Sequence, residues 1–215
     1  MMVLNVFTVF WPEVMLIPTC SVKVRFMETV SFTKMSDGTE EDYALLAKHE
    51  EDYAKELPDR IMNALADLRN SLAGYKIDRL EHSLQTATRA ERDGADIDWI
   101  VSALVHDLGD DLAPFNHDSM AAAILKPYVR AECTWVVRHH GIFQYKYYAD
   151  KIGLNPDERE KYKDSPFYDA AVKFCERWDQ TSFDPNYNTF NLEHFRPMVE
   201  EVFTRKAWGH IEHDT

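Results

Sequence analysis

The stretch "VSALVHDLGD" (residues 101–110) places a histidine and an aspartate, His106 and Asp107, side by side at the end of an almost wholly apolar run. Moving an ionised carboxylate out of water costs several kcal/mol or more unless a partner compensates it. An unpaired Asp107 is therefore not expected in a core, and the sequence must supply its partner.

Length, charge and cysteine content narrow the class of protein. The chain has 215 residues, which fits one domain with one hydrophobic core. Its formal net charge of −13 argues against binding nucleic acid through phosphate contacts. The cysteines Cys20, Cys133 and Cys175 lie far apart and form no CxxC pair, so we expect neither a disulfide framework nor a thiolate zinc site. A reducing cytoplasm is the expected compartment.

The N-terminal segment differs from the rest of the chain. It is apolar, but it lacks a basic start, and Pro12 and Glu13 interrupt it, so we predict neither a signal peptide nor a membrane anchor. A polar, helix-capping sequence begins at Met35. We therefore expect residues 1–34 to be a disordered or non-core extension, with an extra strand as the alternative, and residues 35–215 to form one helical domain.

Helical periodicity covers almost the whole chain from Glu40 onward. One helix is predicted over residues 78–93. A second, over residues 99–108, is apolar on nearly every side, as a central buried helix is; Asp96 is its predicted N-cap and Gly109 its end. Outside the first 34 residues no run has the pattern of a strand, so the predicted fold class is all-α.

Six polar residues on separate helical segments can together form a metal site. Imidazoles and carboxylates without thiolates suit iron, manganese, nickel, cobalt or zinc. Six ligands are too many for one open catalytic ion but enough for two ions that share a bridging carboxylate, for which Asp107 is the natural candidate. The candidate ligands are His82, His106, Asp107, His117, His140 and Asp179.

Each of these residues also has an ordinary structural interpretation. His82 can belong to an amphipathic helix, and His117 can cap one. His140 competes with its neighbour His139, because adjacent helical residues point about 100° apart. Asp179 can pair with an arginine. Spacing alone does not establish that the six side chains converge.

The order of these motifs resembles the HD-domain superfamily in its six-ligand dinuclear form, which implies an all-α HD-domain helical bundle. Four segments are similar to the PhnZ-like phosphonate oxygenases, relatives of inositol oxygenase, and the resemblance covers about residues 72–184. The four segments are "LEHSLQTATRAERDGAD", "VSALVHDLGD", "NHDSMAAAIL" and "ERWDQTSFD".

The resemblance implies a cofactor and a reaction. Two iron ions, as Fe(II)/Fe(III), would use O2 to oxidise a small hydroxylated substrate and cleave a C–P or C–C bond. Asp107 would bridge the ions, and the other five candidate ligands would be terminal. Around them, Arg138, His139 and Asp110 are candidates to orient the ligands or take part in catalysis.

The chain departs from these relatives at the substrate side of the site. Asp110 stands where they carry lysine or histidine, so the expected cation is missing there. Tyr75 falls near their glutamate, and Gln144, with Lys146 close by, near their lysine. We expect Tyr75, Arg138, Gln144 and Lys146 to contact substrate. A quaternary ammonium substrate is a further hypothesis, in which the aromatic faces would come from Tyr75, Phe143, Tyr145, Tyr147 and Tyr148.

Two other functions stay open. Many proteins with this arrangement are phosphohydrolases, in which bound metal lowers the pKa of water. The sequence shows no obvious basic cluster near the ligands, although Lys126, Arg130, Arg138 and Lys146 can bind a phosphate. The second alternative is a regulatory module that binds metal without catalysis.

Overall fold

A computed structural model of the chain describes residues 28–209. Over these residues it contains eight α-helices and no strand, which confirms the all-α prediction. None of these helices combines the length and the apolar composition needed to cross a bilayer. The helices are α1 (Glu40–Lys55), α2 (Leu57–Asp67), α3 (Arg79–Arg92), α4 (Ile97–Val105), α5 (His117–Leu125), α6 (Ala131–Tyr148), α7 (Tyr168–Phe174) and α8 (Leu192–Phe203).

The chain divides into two compact units between Lys48 and His49. In the first unit, Thr39 and Asp42 form a capping box at the start of α1: the Thr39 N–H donates to Asp42 at 3.0 Å, and the Asp42 N–H donates to the Thr39 hydroxyl at 3.2 Å. Backbone donors at Thr39 and Ser31 lower the pKa of Asp42 to about 2. The predicted boundary at Met35 stays a prediction, and residues 1–27, including Cys20, lie outside the described residues.

In the second unit, side-chain caps begin three of the helices. Asp78 accepts a hydrogen bond from the Glu81 N–H at 2.7 Å and starts α3. Asp96 starts α4 by accepting from the Trp99 N–H at 3.2 Å, which confirms the predicted cap, and Asn191 starts α8 in the same way. Each such cap stabilises its helix by about 1 kcal/mol.

Helix α4 lies in the core of the second unit. It packs against α3, α6 and α8, while α5 packs against α6 and α2 against α8. Every residue of α4 from Ile100 to Val105 is buried, which confirms the prediction of a central buried helix. The same core contains fully buried side chains from the surrounding helices, including Leu65, Leu125, Phe143, Phe174 and Phe195.

The connection from α4 to α5 corrects one predicted boundary. Helix α4 ends at Val105 rather than at Gly109, and residues 106–112 continue as turns. A Cβ on Gly109 would lie 2.7 Å from the carbonyl oxygen of His117 and 2.8 Å from its Cα. The glycine is therefore required because the turn passes directly against the first residue of α5.

A π-helical turn, Cys175–Asp179, follows α7 without a break. The Gln180 N–H donates to the Cys175 carbonyl five residues earlier, at 3.0 Å. Such widened turns are frequent at functional sites. Here the π turn brings the buried Asp179 carboxylate close to His82 of α3 and to His106.

Candidate metal centre

All six candidate ligands converge beside one cavity of about 510 Å³. Five of them line its wall, and His106 lies beneath it, fully buried. They come from five places along the chain: α3 (His82), the turn after α4 (His106 and Asp107), the first residue of α5 (His117), α6 (His140) and the π turn (Asp179).

The Asp107 carboxylate lies between two pairs of imidazoles. Its Oδ2 is 3.3 Å from His82 Nε2 and 3.2 Å from His106 Nε2. Its Oδ1 is 3.4 Å from His117 Nε2 and 3.3 Å from His140 Nε2. One carboxylate therefore offers one oxygen to each pair, as a ligand that bridges two metal ions must.

Asp179 adds a second carboxylate to one of the pairs. Its Oδ1 is 3.2 Å from His82 Nε2 and 3.6 Å from His106 Nε2. We call His82, His106, Asp179 and Oδ2 of Asp107 the first position, and His117, His140 and Oδ1 of Asp107 the second position. A further group of converging ligand atoms, from His106, His140 and Asp179, overlaps both.

The histidines are oriented so that Nε2 faces the carboxylates. Three of them place Nδ1 on a backbone carbonyl, which can only accept a hydrogen bond, so Nδ1 carries a proton, and Nε2 has a free lone pair when the imidazole is neutral. These contacts are 2.8 Å for His82 to Ser182, 2.8 Å for His106 to Ala103 and 2.7 Å for His140 to Val137. A neutral imidazole held in this way is a metal ligand.

The buried carboxylate oxygens also fit a cation. Asp107 Oδ1 and both oxygens of Asp179 are buried and accept no hydrogen bond from the described residues. With the histidine protons on Nδ1, oxygen and nitrogen lone pairs face one another across about 3.3 Å. Such an arrangement is unfavourable unless positive charge lies between them. The cluster can therefore bind metal ions.

In the metal-free protein, protons can supply that charge. Burial opposes charge on His106, but the carboxylates of Asp107 and Asp179 outweigh it and raise the pKa of His106 to about 10. Burial likewise opposes charge on Asp107, yet His106 and Arg79 hold its pKa well below the usual value. The pKa of Asp179 is lowered by His106 and His82 in the same way. The same carboxylates would attract metal cations.

Arg79 is a site residue that sequence reasoning missed. It is the first residue of α3, lines the cavity, and donates from Nη2 to Asp107 Oδ2 and from Nε to Asp110 Oδ2 at 2.6 Å. The sequence analysis found the expected cation missing at Asp110, and the structure places a cation from another position, Arg79, beside it. The i, i+3 spacing from His82 could have indicated that Arg79 shares a helix face with the first ligand.

Three other residues predicted for the site reach the cavity wall. Asp110 is nearly buried, and its Oδ1 is 3.3 Å from His117 Nδ1. Tyr75 and Gln144 also line the cavity. Tyr75 lies on the side of the cavity that faces solvent, and Gln144 lies on α6. Phe183, which the sequence did not single out, stacks on Tyr75 at 5.0 Å and on His82 at 4.4 Å.

The structure places three other predicted residues away from the cavity, which corrects their assignment. His139 stacks on Trp135 at 4.2 Å and bonds its carbonyl through Nδ1 at 2.7 Å. Arg138 is exposed, and Lys146 pairs with Asp157 on the surface at 2.7 Å. These residues share α6 with His140, but the helical turn points them in other directions.

The aromatic set proposed for a quaternary ammonium group is also only partly at the cavity. Tyr75 and Tyr148 line it. Phe143 is fully buried in the core against Trp135 and Tyr168, and Tyr145 and Tyr147 do not line the cavity. Five aromatic faces therefore do not surround one ligand here, because most of these rings pack between helices.

Comparison with known proteins agrees with this geometry. The family model described as "HD domain" matches residues 79–179, a range that begins at Arg79 and ends at the last candidate ligand, Asp179. No curated protein matches the chain at a significant level. This part of the chain is therefore similar to HD domains, which are usually metal-dependent enzymes.

Proposed function

We propose that this HD domain is a dinuclear metalloenzyme, with iron as its preferred metal, that uses O2 to oxidise a small hydroxylated substrate. The observation that carries the proposal is the Asp107 carboxylate, whose two oxygens each lie within 3.4 Å of a separate pair of imidazoles. The resemblance to PhnZ-like oxygenases supports oxidative cleavage of a C–P or C–C bond, with a 1-hydroxyphosphonate as the candidate substrate.

The ligand chemistry is compatible with iron and equally with manganese, nickel, cobalt or zinc, and the resemblance to PhnZ-like oxygenases is what favours iron. Four imidazoles and two carboxylates form a set that suits these metals. Thiolates, which favour zinc and copper(I), do not take part among the described residues: the Cys175 thiol is buried, and its Sγ lies 3.6 Å from the His140 carbonyl. Iron ions bound by these residues would supply O2 activation.

The protein's own residues hold the site and limit the access of water. The ligands of the first position are almost completely buried, whereas the His117 side chain of the second position is 26 % exposed. Substrate can therefore approach from the side of His117, past Tyr75 and Gln144. The Gln144 amide can donate to, or accept from, a hydroxyl on the substrate.

One observation favours the alternative, a metal-dependent phosphohydrolase. Arg79 lines the cavity beside Asp107, and a guanidinium there can bind a phosphate oxygen through charge-assisted hydrogen bonds. However, Nε and Nη2 of Arg79 already donate to Asp110 and Asp107. That pairing neutralises charge that a phosphate or a phosphonate group would need, so Arg79 does not distinguish the two reactions, and the oxygenase is the first choice because of the resemblance to PhnZ-like enzymes.

Metal analysis and EPR of protein expressed in iron-supplemented medium test the proposal. We expect two irons per chain, a coupled mixed-valent signal after mild reduction, a change in that signal with hydroxyphosphonates, and substrate-dependent O2 consumption. The matched control is the same phosphonate without its hydroxyl group. Manganese, nickel or cobalt without such a signal, together with phosphate release from organic phosphates, would establish the phosphohydrolase instead.

A further inference from the structure

The two metal positions are held in different ways. In the first, both histidines place Nδ1 on backbone carbonyls, those of Ser182 and Ala103, which no substitution removes. In the second, His140 also uses a backbone carbonyl, but the Nδ1 of His117 faces a side chain, the carboxylate of Asp110, at 3.3 Å. His117 is also the most exposed of the four histidines.

Asp110 is itself fixed by a second partner. Its Oδ2 accepts from Arg79 Nε at 2.6 Å, while its Oδ1 faces His117. The side chains of Arg79 and Asp110 are only 10 % and 9 % exposed, so water screens this pair weakly. Arg79 in turn donates to Asp107. The bridging carboxylate, the guanidinium, Asp110 and His117 therefore form one continuous chain of contacts.

We propose that Asp110, held by Arg79, is the positioning residue for His117, and that occupancy of the second metal position depends on it while the first position does not. This inference rests on the dinuclear site of the proposed function. A carboxylate that accepts the Nδ1 proton fixes the tautomer and the ring orientation of a histidine ligand and makes its Nε2 more basic.

Asp110 acts through His117 rather than as a ligand. It belongs to none of the groups of described residues whose candidate ligand atoms converge. Each of its two oxygens already faces a nitrogen of another side chain. Asp110 stands where the resembling oxygenases carry a cation. In this chain Arg79 places a cation beside Asp110, and Asp110 links it to the candidate ligand His117.

Titration of the metal-free full chain with Fe(II) or Co(II) tests the inference in Asp110→Asn and Asp110→Ala. Asparagine has one acceptor oxygen and cannot serve both Arg79 Nε and His117 Nδ1, while alanine serves neither. We expect the metal affinity of the first position to be unchanged. The metal affinity of the second position should weaken by about 10–100-fold, with the larger loss in Asp110→Ala. In the EPR spectra of the two variants, the signal of two spin-coupled ions should give way to that of one isolated ion. The control is Asp111→Asn, an exposed neighbour.

Adding a small carboxylate distinguishes a positioning role of Asp110 from a general disturbance of the fold. Formate can occupy the space left in Asp110→Ala and accept the His117 proton. We therefore expect added formate to restore part of the metal affinity of the second position without changing that of the first position. Unchanged affinities in both variants would overturn the inference, and so would equal losses at both positions. Wild-type protein that binds two ions but consumes no O2 would overturn the proposed oxygenase and leave this comparison of affinities valid.

Discussion

At the scale of single residues, Asp107 brings four imidazole nitrogens within 3.4 Å of one carboxylate. Because both positions share this side chain, we predict that Asp107→Ala lowers the metal content from two ions to fewer than one per chain, with loss of most activity. Elemental analysis of protein shown to be folded by circular dichroism measures this. Normal metal content in folded Asp107→Ala protein would rule out the bridging role.

The adjacent histidines of α6 allow a matched comparison. His140 places Nε2 3.3 Å from Asp107, whereas His139 packs on Trp135 and lies 4.7 Å from the Tyr162 ring, between centroids. We predict that His140→Ala loses the second metal ion, while His139→Ala keeps both and loses about 1 kcal/mol of stability with its ring contacts. Metal content and urea unfolding measure the two effects. The reverse order would assign the ligand to His139.

At the scale of the elements, the turn between α4 and α5 decides where His117 lies. A Cβ on Gly109 would press on the backbone of His117, so Gly109→Ala must displace the start of α5. We predict a loss of about 1–3 kcal/mol in the free energy of unfolding and weaker metal binding at the second position. The control is Gly141→Ala, for which the nearest atom outside its own helix lies 4.0 Å away. Equal behaviour of the two variants would contradict this.

Several α3 side chains bond to the segment after the π turn, and the buried Gln85 makes two of these hydrogen bonds. Gln85 donates from Nε2 to the Asp184 carbonyl at 2.7 Å and accepts from the Asp184 N–H at 3.3 Å. This segment carries the Ser182 carbonyl and the Phe183 ring that hold His82.

We therefore predict that Gln85→Ala lowers the free energy of unfolding by about 2 kcal/mol and weakens the first metal position. Urea unfolding and metal titration measure these changes. Gln180→Ala, which removes only an exposed bond to the Glu176 carbonyl, is the control and should change little. An intact first position in Gln85→Ala would show that α3 and the π turn hold His82 without this anchor.

At the scale of the whole molecule, the pH dependence of stability reports on the buried cluster. The pKa of His106 rises from 6.5 to about 10, so the folded metal-free protein keeps a proton that the unfolded chain releases between these values. This contribution to stability is complete below about pH 6.5 and is lost as the pH rises towards about 10, by about 1.4 kcal/mol per pH unit for one proton.

We predict that urea unfolding with a chelator shows this decline between about pH 6.5 and 10. Metal-loaded protein should show little of it, because metal ions replace the protons at Nε2. A flat profile in the metal-free protein would mean that His106 is not protonated in the folded state.

Local patterns in the sequence were sufficient for the helices and for the ligand types. The Asp96 cap, the buried face of α4 and the absence of strands over residues 28–209 follow from side chains within a few positions of one another. Periodicity could not locate the end of α4. The turn at Gly109 is determined by its contact with His117, eight residues away in sequence, and not by local propensity.

The all-α class, the helix caps and the His and Asp side chains available as ligands could be predicted from the sequence, because they depend on residue types and on neighbouring residues. Which polar groups meet follows from the packing of the helices. Arg79 reaches Asp107 and Asp110 across 28 and 31 residues, while Arg138 and Lys146, on the same helix as His140, point elsewhere. Contacts between helices depend on how their faces pack, and a residue's place in the sequence does not contain that information.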